Sequence, residues 1–268
     1  MPRKRSGKIL IIFIALLLFG GALSPEVALQ TTVCAGTFGV ERAADSADAR
    51  ARKILKTMTL KEKIGQMFLA SVSPKTGGRL IRKYHLGGCV LMRDSFSGKS
   101  RREVRRMIND YQKMAKINML VAVDEEGGTV TRVSAFPKLR KSKFRSPRAL
   151  YRSGGWARIR RDTREKAKLL KSLGINTNLA PVADVPYRGS DFIYARSIST
   201  NARTTAKYIK TVVREMQKQK VVSTLKHFPG YGGNRDTHKY VVRDRRALVD
   251  SAGIGYADIS RILIIWEI

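Results

Sequence analysis

Between Phe68 and Leu225 the sequence alternates short apolar runs with longer amphipathic stretches, and this rhythm restricts the fold more than any other feature. Phe68 to Val72, Leu86 to Met92, Asn118 to Asp124, Asn176 to Ala183 and Val221 to Leu225 read as strands. Between the second and third, Arg101 to Ile117 carries apolar residues at Val104, Met107, Ile108, Tyr111 and Met114, a helical stripe. Trp156 to Leu173 and Asn201 to Lys218 are predicted as further helices. Upstream, Ala43 to Lys56 reads as helical, and Met58 to Met67 as a second helix capped by Thr59, with Glu62 completing a capping box. Strand–helix–strand units of this kind build a parallel sheet with right-handed crossovers.

Polar residues recur where these strands end: Asp124 after the third, Asp184 after the fourth, Lys226 and His227 after the fifth. A doubly wound sheet gathers its ligand groups at one switch point, whereas contributions from successive strand ends favour a (β/α)₈ TIM-barrel type of α/β fold. Neither a G-x-G-x-x-G nor a Walker loop points to a nucleotide.

Three clusters carry chemistry. After Lys226 and His227, Pro229, Gly230, Gly232 and Gly233 interrupt regular structure and predict a mobile loop bearing Asp236 and His238. A carboxylate that accepts an imidazole N–H fixes the tautomer and leaves the other nitrogen free to exchange a proton, which suits a general acid/base. Standing alone, such a D-x-H is more often a solvated turn. In the second cluster, Asp124 to Arg132, an Asp at a strand end precedes a glycine turn and can accept ligand hydroxyls, with Arg132 reaching back as a charged donor. Asp191 to Ser197 is the third, a loop with one arginine, Arg196, available to a substrate.

The net charge is +32, spread along the chain, with dense runs at Lys138 to Arg145 and Arg158 to Arg161. Arg3, Lys4, Arg5 and Lys8 precede the uncharged apolar run Ile9 to Leu23, the layout of a secretory signal. Val33-Cys34-Ala35 offers a cleavage site after Ala35; cleavage near Ala22 or retention as an anchor are the alternatives. With an export signal, anionic cell-envelope polymers are expected partners for the basic surface, and specific nucleic-acid binding is not, since no recognition motif accompanies the charge. Cys89, in an apolar run, is expected to be a packed small side chain, and removal of Cys34 with a signal leaves no intrachain disulfide.

Lys226-His227-Phe228-Pro229-Gly230 with Asp236-Thr237-His238, preceded by Asp124-Glu125-Glu126-Gly127-Gly128 and by Ala180-Pro181-Val182-Ala183-Asp184-Val185, resembles glycoside hydrolase family 3 in its β-N-acetylhexosaminidase branch. Similarity runs over about Met58 to His238. The resemblance implies a (β/α)₈ barrel in which Asp124, Arg132, Arg196, Lys226 and His227 bind a terminal N-acetylglucosamine, with no metal or organic cofactor expected. It implies further that His238, oriented by Asp236, is the catalytic acid/base of a retaining hydrolysis of cell-wall or chitin-type glycans. On this reading residues 1–35 are a signal peptide or anchor, 36–57 a linker and N-terminal helix, and 58–268 a partial barrel domain. Two departures stand out. Tyr231 occupies a position where the family commonly has a second His, a change expected to affect loop packing. No nucleophilic Asp aligns before Ile268, so the sequence reads as a truncated member with about five to six of eight strands and impaired catalysis.

Overall fold

The computed structural model describes residues 11–13, 38–228, 230–242 and 263–264. The first strand, β1 (Ile11–Phe13), falls inside the apolar N-terminal run and pairs antiparallel with β2 (Phe68–Val72). From β2 onward the neighbours run parallel in chain order: β3 (Gly88–Leu91), β4 (Leu120–Val123), β5 (Thr177–Asn178) and β6 (Val222–Leu225). A further strand, β7 (Leu263–Ile264), continues the order parallel to β6. Among the described residues no strand is skipped and the order never reverses, so they contain no switch point. That distinguishes the barrel-type winding expected from the strand ends from a doubly wound sheet. The expected signal cleavage sites at Ala22 and Ala35, and the segment 243–262, lie outside the described residues.

Helices α1 (Phe38–Lys56) and α2 (Leu60–Gln66) precede β2. Thr59 caps α2 as expected: its hydroxyl accepts the Glu62 N–H while the Glu62 carboxylate accepts the Thr59 N–H at 2.8 Å. Four helices then cross between successive strands: α3 (Gly77–Tyr84), α4 (Arg101–Met114), α5 (Pro147–Leu173) and α6 (Ala202–Lys218). Helix α3 is absent from the sequence reading. Its paired glycines obscure it, yet they are what seats it: a Cβ on Gly77 would lie 2.6 Å from the Tyr111 hydroxyl, and one on Gly78 2.6 Å from the Met114 sulfur. Helix α5 begins nine residues before the expected Trp156, capped by Ser146 with Pro147 in its first turn, and it kinks at Gly154-Gly155. The fourth expected strand is regular over two residues rather than eight; isolated backbone hydrogen bonds continue past it, from Leu179 to Val123 and from Thr224 to Ala180, around Pro181, which has no N–H to give, to a bridge between Val182 and Lys226.

Side chains of the strands divide by the two-residue period. Leu69, Val90, Ala122 and Leu179 form one cluster on the inner face. Cys89, Leu91, Val121 and Val123 point the other way, against Val104 and Ile108 of α4 and Leu170 and Leu173 of α5. A second layer joins Ile159 and Ala167 of α5 to Tyr208, Val212 and Met216 of α6. Cys89 is fully buried and its thiol is pushed up to about 12 by that burial, so it packs as a small hydrophobe, as expected.

Candidate functional site

Strand β4 ends by delivering Asp124, Glu125 and Glu126 in succession. The chain then turns through Gly127 (φ +104) and Gly128 (φ +67), conformations that favour glycine, and a Cβ at Gly127 would come within 2.3 Å of the Arg145 carbonyl oxygen. Glu125 is buried and serves the turn itself. Its carboxylate accepts the N–H groups of Arg132 (2.9 Å) and Val133 (2.7 Å) and the Ser134 hydroxyl, so it folds the segment that returns Arg132 to the strand end. Arg132 Nη2 then lies 3.7 Å from Asp124 Oδ2.

Strand β6 delivers Lys226, 3% exposed, into the same place. Its ammonium group sits 2.7 Å from Asp124 Oδ1 and 2.7 Å from Glu126 Oε1. Glu126 in turn takes a two-point grip from Arg196, with Nε at 3.0 Å and Nη2 at 2.8 Å. Arg196 Nη2 is also 3.0 Å from His227 Nε2, and the opposite ring nitrogen, Nδ1, is 2.7 Å from Asp184 Oδ2. Five residues assigned from the sequence, Asp124, Arg132, Arg196, Lys226 and His227, therefore meet at the strand ends.

The charges are set by this company. Burial alone would raise the Glu126 carboxyl, but Lys226 and Arg196 reverse that and hold it at about 2. Burial alone would favour a neutral Lys226, but Asp124 and Glu126 outweigh it and lift its pKa above the usual lysine range. The result is a buried cluster in which Lys226 and Glu126 both keep their charge. It presents fixed donors and acceptors to a polyhydroxylated ligand without needing to reorganise.

Two members of this cluster, Glu126 and Asp184, are not among the site residues the sequence reading assigns. Their sequence signal is position: Glu126 follows Asp124 at the end of β4, and Asp184 follows the Val182–Lys226 bridge, opposite His227.

Asp236 and His238 lie on the loop after β6. Asp236 Oδ1 is 2.9 Å from His238 Nδ1 and accepts the His238 N–H at 3.1 Å, the geometry expected of an oriented imidazole. Burial works against the Asp236 charge, but these contacts to His238 more than compensate and lower its pKa below the usual carboxylate range. The imidazole is 59% exposed. Among the described residues it makes no hydrogen bond or ion pair with Asp124, Lys226 or His227. The pair is joined to the cluster indirectly, through Thr237 and Tyr231, whose hydroxyl oxygens are 2.8 Å apart.

Residues 59–257 match the model of the glycosyl hydrolase family 3 N-terminal domain. The chain belongs to this family. It is 30% identical over 171 residues to β-hexosaminidase A of Pseudoalteromonas piscicida, covering 62% of this chain and 28% of that one. It is 29% identical over 187 residues to a β-hexosaminidase of Thioalkalivibrio sulfidiphilus, covering 66% of this chain and 51% of the relative. A family 3 β-N-acetylglucosaminidase structure from Paenibacillus superposes with a TM-score of 0.60 at 28% identity, covering 68% of this chain and 35% of that one. The chain spans about half the length, or less, of these relatives. Family 3 N-terminal domains have a TIM-barrel-like α/β fold, and the described residues hold part of it, the parallel run β2 to β7.

Proposed function

We propose that this chain is a retaining β-N-acetylhexosaminidase that removes a non-reducing N-acetylglucosamine from cell-wall or chitin-type glycans. The observation that carries the reading is the interlocked strand-end cluster Asp124–Lys226–Glu126–Arg196–His227–Asp184, with an imidazole oriented by Asp236 tethered beside it. Asp124 and Lys226 offer an acceptor and a donor to sugar hydroxyls. Arg132 adds a buried Nε that has no acceptor among the described residues. His238 donates its proton to the glycosidic oxygen as the bond breaks, then takes one from the incoming water. The names of the relatives support the substrate class.

A retaining reaction also needs a carboxylate to attack the anomeric carbon. Asp124, Glu126 and Asp184 are each committed to a cation or an imidazole, so on this reading the attacking carboxylate comes from outside the described residues. That commitment also favours a second reading, a non-catalytic module that binds envelope carbohydrate. The basic run before Ile9 supports export, and the charge of +32 supports residence beside anionic envelope polymers.

Incubating the full chain with a chromogenic N-acetyl-β-glucosaminide decides between the two. The enzyme reading expects release of the chromophore with the β-anomer as first product, and little release from the corresponding glucoside. Saturable sugar binding without release would establish the binding module instead, and the absence of both would overturn each reading.

A further inference from the structure

Tyr231 does more here than fill space in the loop. It is buried, packed with Val182 and Ile193, and placed between Gly230 (φ +100) and Gly232 (φ +54), left-handed conformations that glycine adopts without strain and that turn the chain on either side of the tyrosine. Its N–H donates to Asp184 Oδ1 at 2.6 Å, while the other oxygen of the same carboxylate holds the His227 N–H at 3.0 Å and Nδ1 at 2.7 Å. Its ring stands edge-on to His227 with centroids 4.8 Å apart, and edge-on to Phe192 at 5.1 Å. Its hydroxyl meets that of Thr237, the residue between Asp236 and His238. One side chain thus touches both the floor of the sugar cluster and the dyad that carries the proton.

We propose that Tyr231 is a positioning residue that fixes the distance and orientation of the Asp236–His238 dyad relative to the strand-end cluster, through its hydrogen bond to Thr237. The inference rests on the hydrolase reading for its consequence, and on geometry alone for its existence. The Asp236–His238 contact is local and orients the ring without placing it. Placement requires a link to the rigid strand ends, and the Asp184–Tyr231–Thr237 relay supplies one. A misplacement of about 1 Å at a catalytic group costs on the order of a hundredfold in rate. Loss of one such link, with the aromatic ring retained, is expected to cost about tenfold.

The test compares Tyr231→Phe, Thr237→Val, Thr237→Ser and the double variant Y231F/T237V in the full chain. Tyr231→Phe and Thr237→Val should each lower kcat about tenfold with KM unchanged, Thr237→Ser should restore the rate, and the double variant should fall no further than either single one. Hydrogen exchange supplies the readout that needs no turnover: amides of residues 232–240 should exchange about tenfold faster in Tyr231→Phe, with those of β6 unchanged. If the wild-type chain releases no chromophore, the hydrolase reading fails and exchange alone decides the relay. Additive losses in the double variant, a fall in KM and kcat that Thr237→Ser does not relieve, or unchanged exchange in the loop would overturn the proposal.

Discussion

Lys226→Met should destabilise the fold by about 3–5 kcal/mol, the largest stability loss expected of any single change at the site. The magnitude follows from what the lysine leaves behind. Asp124 and Glu126 each lie 2.7 Å from its ammonium group, and Glu126 is 3% exposed, so removing the cation leaves two neighbouring carboxylates under-compensated, Glu126 with Arg196 and Asp124 with the more distant Arg132. A methionine fills similar volume, which isolates the charge effect from a cavity. Denaturant titration of both proteins gives the difference, and a loss under about 1 kcal/mol would show that the network is not a buried ionic one. The same network sets the acid limit of stability. The Glu126 carboxyl, at about 2 in the fold against an ordinary 4.5, stabilises the native state above pH 4.5 and loses that contribution as pH falls toward 2. Lys226, raised above its ordinary value, contributes below that value and loses its part only in strong alkali. The melting temperature should therefore drop between pH 4.5 and 2, on the order of 3 kcal/mol of stability being at stake, and Glu126→Gln should flatten that limb.

His238→Ala has the opposite signature: a large loss of rate with little change in stability. General acid/base groups contribute about 10²–10⁴-fold, and this imidazole is the oriented, solvent-accessible one. Because its side chain is 59% exposed and its Asp236 contact lies at the surface, its loss should leave the melting temperature where it was. Steady-state hydrolysis of the chromogenic glucosaminide should show kcat reduced within that range and KM held, with partial recovery of rate on a substrate whose leaving group needs no proton. Equal rates in wild type and variant would remove His238 from the mechanism.

The parts of this architecture that were readable in the sequence are those governed by local rules. The Thr59–Glu62 capping box fixed the start of α2, and the two-residue and helical periods located β2, β3, β4, α4 and α6. Strand-end polarity alone groups Asp124, Lys226 and His227. What escaped was determined at a distance. Helix α3 carries only Leu80 and Ile81 as an apolar signal, and its glycines make sense only against Tyr111 and Met114 of α4. Glu126 finds its cation exactly a hundred residues along the chain, at Lys226, and Asp184 finds its imidazole 43 residues on. The role of Tyr231 was anticipated as loop packing; its bonds to Asp184 and Thr237 belong to a relay between segments that no local pattern encodes.

The central claim is that carboxylates and cations delivered by successive strand tips form a receptor for an amino sugar. Titrating the full chain with N-acetylglucosamine while following the ring protons of its three histidines tests it most directly. The His227 resonance, held between Arg196 and Asp184, should shift saturably, with glucose far weaker and His85 silent. A His227 signal indifferent to the sugar at every concentration would contradict the account.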